Sequence, residues 1–368
     1  MSYRIPLIRP YISKRVKTMI NEVLDSGYLT EGPVTRQFES AVAGYTGAGH
    51  AVAFTSCTTG LETALRVLGV GPGDEVIVPD FTYPATAGAV QIVGATPVIV
   101  DVDPDTMLMT PELAEEAISA STKVIIPVSL FGLPFDHDGF TELKKKYEVW
   151  ILEDAACALG SVYKGKRTGT LADISVFSFH PRKFITTGEG GMVTTDNGKW
   201  AEAMNRYKHF GMGKPGDRGE LVFLTPGTNY KMSNVQAAIG LAQMEDIDNL
   251  LAERMNLAEK YTRLLEPVKS IQCPVEPEYI SHSWQSYTVF VKGRDDIMRK
   301  MRNQGIEVQI GTYALHMHPA FQDGNAKLRG QFHGSIRAFE EALVLPMYHG
   351  MTSQEQTEVV EKLSECVE

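Results

Sequence analysis

Lys183 lies in a stretch built for more than solvation: Ser175-Val-Phe-Ser-Phe-His-Pro-Arg-Lys-Phe-Ile-Thr-Thr-Gly-Glu-Gly-Gly-Met-Val193. Ile174, Val176, Phe177 and Phe179 make a mostly apolar run that reads as a buried strand. Pro181, with no N–H to donate, ends it. The lysine follows on a tight loop, and Gly188, Gly190 and Gly191 precede a second short strand at 192–195. Glycine clusters mark backbone that needs positive φ or lies against a ligand. A lone lysine is ordinarily a solvated surface residue. Here Ser178, His180 and Lys183 gather at the end of a buried strand. In such a place a lysine whose surroundings lower its pKa can form a Schiff base.

Upstream, Tyr147-Glu-Val-Trp-Ile-Leu-Glu-Asp-Ala-Ala-Cys157 reads as an apolar strand ending in Glu153-Asp154. A carboxylate at the carboxyl end of a parallel strand points into the crevice where ligands bind. An aspartate there, with a loop lysine 29 positions later, fits pyridoxal phosphate. The acid would keep the pyridine nitrogen protonated, and the lysine would hold the aldehyde as an imine.

The elements that must position these groups alternate. Strands at 75–79, 96–102, 124–128 and 149–153 are separated by helical segments at 86–93, 111–120 and 139–147. That rhythm means a mostly parallel sheet with helices on both faces. Right-handed crossovers bring every strand's carboxyl end to one edge, gathering Ser56–Thr58, Tyr83, Ser129, Asp154 and Lys183. Ser56, Thr58 and Thr59 are good N-cap residues for the helix carrying Leu61, Ala64, Leu65 and Leu68. They read either as a plain capped helix or as an anion site made by free N–H groups and the helix dipole. Tyr83 reads either as a half-buried core residue or as a ring-stacking aromatic. Ser233 and Gln236 form a capping box that opens a long amphipathic helix to about Leu264. Farther on come a strand at 286–292, helices at 295–304 and 353–367, and a loop rich in Gly and Pro at 214–219.

The 368 residues suit a large and a small domain. A net charge of −10 disfavours nonspecific binding to nucleic acid. Cys57, Cys157, Cys273 and Cys366 have no metal-ligand spacing, and His316 with His318 lacks a third ligand, so no metal is expected. No run approaches a membrane span, and the first residues carry no cleavage signature; a cytoplasmic protein is expected.

The runs Glu153-Asp154-Ala-Ala, Phe177-Ser-Phe-His-Pro-Arg-Lys183 and Gly188-Glu-Gly-Gly191 resemble those of the DegT/DnrJ/EryC1/StrS sugar aminotransferases. That group is a branch of the fold-type-I pyridoxal-phosphate enzymes. The match covers nearly the whole chain, with separated motifs agreeing in order and spacing. The resemblance implies an α/β large domain over 1–245, with an N-terminal arm and a mostly parallel seven-stranded sheet between helices. It implies a smaller α+β domain over 246–368. It makes Lys183, Asp154 and His180 the catalytic candidates. The Thr58 hydroxyl and the Cys57 backbone N–H would hold the cofactor phosphate, and Tyr83 would stack on its ring. Cys157 stands where the family usually has Gln or His bonding the cofactor hydroxyl. A thiol is a weak donor, so the contact is weak here or His180 or Ser178 supplies it. Asn229 would cross a homodimer interface to the partner's cofactor phosphate, so the sites would be shared. Lys231, where Arg is more usual, would offer charge to a diphosphate. Tyr313 and His316 would contact substrate.

The expected reaction moves an amino group from L-glutamate to a nucleotide-linked 4-keto-6-deoxyhexose. It would run by a ping-pong mechanism through an internal aldimine on Lys183. A 3-keto nucleotide sugar and a cyclitol ketone are the alternative acceptors. Sugar 3-dehydratases of the same fold replace the lysine with histidine, and a non-catalytic regulatory relative would not need the Asp154/Lys183 pair.

Overall fold

The computed structural model describes residues 3–213 and 219–367. Apart from Gly219, the loop expected at 214–219 lies outside them. The main sheet has eight strands in the order His50–Phe54, Gly191–Thr195, Ile174–Ser178, Trp150–Asp154, Thr122–Ile125, Glu75–Pro79, Thr96–Val100 and Lys327–Arg329. Gly191–Thr195 alone runs antiparallel to its neighbours. Seven of these strands are those expected of the large domain. The eighth comes from far downstream and pairs with Thr96–Val100. Its physical role is clear from its place. Thr-Pro-Val-Ile-Val would otherwise be an unpaired apolar edge, and the short, exposed Lys-Leu-Arg strand covers it with charge.

Burial on both faces makes the central strands mostly apolar. Ile174, Val176 and Val193 face the helix Cys57–Val67 and its Leu61, Ala64 and Leu65. Phe177, Phe179 and Met192 face the other way, onto Phe38 and Ala237. A Cβ on Gly60 would lie 2.8 Å from a Val176 methyl, so this helix seats against the sheet only because residue 60 has no side chain.

A second core gathers Leu257, Ala258, Tyr261, Tyr287, Val289, Leu343 and Leu345 around a four-stranded antiparallel sheet. The N-terminal arm belongs here: Ile5 is fully buried in this core and bridges to Ile306. The Ser233 capping box forms as expected. The single long helix expected after it is two, Asn234–Met244 and Ile247–Leu265, broken at Glu245–Asp246. The first lies against the helices Lys14–Ser26 and Pro33–Thr46, with Ala238 and Ala242 packed on Val16, Met19 and Val23. The second packs Ile247 and Leu250 in one core with Ala237 and Met244 of the first, then carries Leu257, Tyr261 and Leu265 to the other. Tyr313–Ala314 pairs with Phe81–Thr82 in a short ribbon, stitching the later part of the chain to the end of a central strand. Among the described residues no helix is long and apolar enough to cross a membrane.

Candidate active site

A cleft of about 670 Å³ opens at the carboxyl edge of the sheet. Cys57, Thr58, Tyr83, Asp154, Cys157, Ser178, His180, Lys183 and Tyr313 all line it, as the topology requires. Ser129 does not. Its hydroxyl turns behind the sheet and donates to the fully buried Glu153 at 2.6 Å.

Asp154 ends its strand with its carboxylate almost fully buried. Thr86 donates to Oδ2 at 2.7 Å, and the Ala156 N–H donates to Oδ1 at 3.1 Å. The Thr86 proton is spent on the carboxylate, so the Thr82 hydroxyl, 3.0 Å away, donates to Thr86. Burial pushes the Asp154 pKa up, and these donors together with Lys183 recover only part of the shift. Sequence reasoning missed Thr86. Thr82 ends a short strand and Thr86 begins the next helix, and nothing in the sequence ties either to Asp154, 68 positions beyond Thr86.

The Lys183 ammonium donates to the Cys157 sulfur at 3.0 Å. Burial pulls its pKa down, but the Cys157 sulfur beside it and then the Asp154 carboxylate outweigh burial and hold it above the ordinary lysine value. The lowered pKa that Schiff-base chemistry calls for is therefore not a property of these protein groups alone. Burial, and then Asp154, push the Cys57 thiol well up, so it is neutral; its S–H points to the Val176 carbonyl at 3.7 Å.

At the start of helix Cys57–Val67 the Ser56 hydroxyl accepts the Thr59 N–H, and the Thr59 hydroxyl accepts the Ser56 N–H. Among the described residues the Cys57 and Thr58 amides have no protein partner, and both residues line the cleft. The sequence left a capped helix and an anion site open as alternatives; the structure forms the cap and leaves these two amides unpartnered in the same turn. The glycines of the lysine loop divide their duties. Gly188 has φ +84°, whereas a Cβ on Gly191 would sit 2.4 Å from the Ser56 carbonyl, so its strand can lie against this helix start.

His180 accepts the Arg182 N–H at Nδ1 (3.1 Å), which leaves Nε2 to carry the ring proton, 3.9 Å from Glu189. Burial lowers its pKa and Glu189 offsets part of that. Tyr83 is 65 % exposed, its ring 6.2 Å from that of Tyr313. His316 stands outside the cleft lining: Asp80 holds Nδ1 at 2.7 Å, and the ring stacks on Phe332. Asn229 and Lys231, bonded to each other, also stand outside the cleft of their own chain. Leu7 and Ile8 of the arm, and the guanidinium-bearing Arg182, do line it; no sequence pattern pointed to them. No group of three or more His, Cys, Asp or Glu among the described residues is arranged to hold a metal.

The donor set fits pyridoxal phosphate. A buried carboxylate short of positive company suits a protonated pyridine nitrogen, two free amides at a helix start suit a phosphate, and the lysine lies between them in the same cleft.

A family model described as the DegT/DnrJ/EryC1/StrS aminotransferase family matches residues 10–364. Among solved structures, the chain is similar to a protein described as sugar aminotransferase Spr1654 of Streptococcus pneumoniae, in its PMP form. The two share 31% identity and a TM-score of 0.93, over 99% of this chain and 98% of that one. DesV of S. venezuelae, in complex with a ketimine intermediate, shares 32% identity over 100% of this chain and 99% of its own, with a TM-score of 0.92. The aminotransferase TlmJ of Streptoalloteichus hindustanus shares 30% identity over 98% of each chain, with a TM-score of 0.93.

Proposed function

Given that this chain belongs to the DegT/DnrJ/EryC1/StrS aminotransferase family, we propose that it transfers an amino group from L-glutamate to a nucleotide-linked 4-keto-6-deoxyhexose. It is a pyridoxal-phosphate-dependent sugar aminotransferase. The observation that carries the finer reading is the meeting of Lys183, buried Asp154 and the free helix-start amides in one cleft of about 670 Å³, large enough for cofactor and sugar together.

When bound, pyridoxal phosphate supplies the electron sink and the carbon that carries oxygen or nitrogen by turns. The protein does the rest. Asp154 holds a proton on the ring nitrogen, and Thr86 keeps the carboxylate turned toward it. The amides of Cys57 and Thr58, with the Thr58 hydroxyl, take the phosphate. Lys183 Nζ moves a proton off the donor's α-carbon and returns it on the other side of the reaction. Tyr83, its ring 6.2 Å from that of Tyr313, would stack on the cofactor ring, and Tyr313 would contact substrate. Ser178 and His180 border Cys157 and Lys183 and serve the cofactor hydroxyl in place of a strong donor at 157. Donor and acceptor use the same cleft in turn, which gives ping-pong kinetics.

Asn229 and Lys231 lie outside their own cleft, which supports their service to the partner of a homodimer: Asn229 at the cofactor phosphate, Lys231 at a substrate diphosphate. His316 would act on substrate from the cleft's margin. The free state of all four cysteines supports a cytoplasmic setting.

Thr86→Val should weaken cofactor retention about 10–100-fold, the worth of a hydrogen bond to a charged group. Equilibrium dialysis followed by absorbance measures this, and unaltered retention would mean the backbone alone orients Asp154.

The reading is tested by the visible spectrum of the purified protein before and after excess L-glutamate. The band of the lysine-bound cofactor should give way to that of its amine form, and the right keto sugar should restore it. A spectrum indifferent to glutamate would overturn the donor assignment. Inhibition by a nucleoside diphosphate separates nucleotide-linked acceptors from a cyclitol ketone, which has no use for that subsite.

A further inference from the structure

The loop that carries Lys183 cannot hydrogen-bond as a strand does. Pro181 interrupts it, and its backbone bonds turn inward: the Lys183 N–H donates to the His180 carbonyl at 2.8 Å, and the Thr187 N–H to the Phe179 carbonyl at 3.0 Å. Neither bond reaches the Arg182 carbonyl or the Phe184 N–H, which belong to the two peptide units joined at the Lys183 Cα. Unpaired backbone groups in so buried a place would be costly. One side chain satisfies both. Gln285 Nε2 donates to the Arg182 carbonyl at 2.7 Å, and its Oε1 accepts the Phe184 N–H at 3.0 Å.

Gln285 is itself held. It is 6 % exposed, and its own carbonyl accepts from Arg254 Nη2 at 2.7 Å, while the Trp284 carbonyl accepts from Arg254 Nε at 2.8 Å. Arg254 is buried and, among the described residues, makes no ion pair; its donors go to backbone carbonyls. A second buried glutamine repeats the device farther along the loop. Gln243 accepts the Thr186 N–H at 3.1 Å and donates to the Thr186 carbonyl at 2.6 Å. That grip steadies the loop's far side, whereas only Gln285 brackets the lysine. Gln285 also stands next but one before the strand Tyr287–Val291, so the reference point for Lys183 lies in the second core rather than in the main sheet.

We propose that Gln285 is a positioning residue: by gripping the peptide groups on both sides of Lys183 it fixes that Cα, and so sets the direction from which Nζ reaches the reacting carbon. A primary amide suits this task because it offers one donor and one acceptor to backbone that needs one of each. The proposal rests on Lys183 being the residue that carries the cofactor.

The test uses the full-length holoenzyme and two variants, Gln285→Leu and Gln285→Glu. Borohydride reduction of the parent protein comes first. If the cofactor is not fixed on Lys183, the lysine assignment itself fails, whatever Gln285 does. With that in place, Gln285→Leu should lower kcat with L-glutamate about 10–100-fold, the cost of misplacing a reacting group by about an ångström, with less than about threefold change in KM. Gln285→Glu keeps the acceptor for Phe184 but sets an oxygen against the Arg182 carbonyl, and should also lose kcat. In both variants the pH midpoint of the bound cofactor's visible band should shift, a readout that loss of stability alone does not move. If kcat and that midpoint stay at parent values and only the melting temperature falls, Gln285 is merely structural and the proposal is overturned. Should the leucine variant fail to fold, the near-isosteric glutamate variant decides by the same two readouts.

Discussion

Lys183→Ala is expected to fold, to bind pyridoxal phosphate without covalent attachment, and to lose turnover by about 10⁴-fold or more, the upper range for a positioned acid–base group. Borohydride should then fix no cofactor on the protein. The expectation follows from the site's lack of substitutes. Arg182 and His180 share the cleft, but a guanidinium stays charged, and the His180 Nδ1 lone pair already accepts the Arg182 N–H. The substitution also removes the positive neighbour that lowers the Asp154 pKa and the donor that faces the Cys157 sulfur. Circular dichroism and cofactor absorbance would separate a folded, silent enzyme from a damaged one. Appreciable turnover, with borohydride labelling at another residue, would remove Lys183 from the mechanism.

The largest expected effect on stability lies away from the cleft. Lys208 has no exposed side-chain surface; its Nζ lies 3.1 Å from Glu31, 3.2 Å from Glu39 and 3.0 Å from the Ala53 carbonyl. Lys208→Met leaves both carboxylates without that charge and should cost about 3–5 kcal/mol, as breaking a buried pair does. Urea denaturation measures it, and adding Glu39→Gln should recover part of the loss. The same cluster fixes a pH dependence. Burial alone would raise the Glu31 pKa, but His209 and Lys208 outweigh it and hold the folded value below the ordinary glutamate range. A depressed folded pKa contributes stability above the unfolded value and loses it as pH falls through the folded one. The parent protein should therefore weaken in acid from Glu31 downward, and Lys208→Met should flatten that limb. An equally steep limb in the variant would mean that other carboxylates set it.

What the sequence made legible was local. The apolar run before Lys183, the strand ending in Asp154, the Ser56 turn and the Ser233 capping box each announce themselves within a dozen residues. Topology then brought the first three to one edge without any contact being known. What stayed hidden depends on partners far apart in the chain. Gln285 and Gln243 look like ordinary polar residues until the loop they satisfy is folded beside them. Thr86 acquires meaning only next to Asp154, and Lys208 only next to Glu31 and Glu39. His316 sits in a segment that does approach the cleft, since Tyr313 lines it, but Asp80 takes its Nδ1 and Phe332 its ring face. The break at Glu245–Asp246 was invisible because apolar spacing runs on through it: Ala237 and Met244 before it and Ile247 and Leu250 after it lie in one core, and only farther on do Leu257, Tyr261 and Leu265 enter another.

The eighth strand has a consequence for how the protein is made. Thr96–Val100 leaves the ribosome early, while Lys327–Arg329, which covers its open side, is synthesised more than two hundred residues later. At ordinary elongation rates that interval is roughly 10–45 s. For the part of it that follows Thr195, where the other seven strands are complete, a nascent chain shows a bare apolar edge to every other chain emerging nearby. Yield in the cell should therefore respond to slower translation of the downstream half, or to chaperones that shield strand edges, even where the stability of the finished enzyme is unchanged.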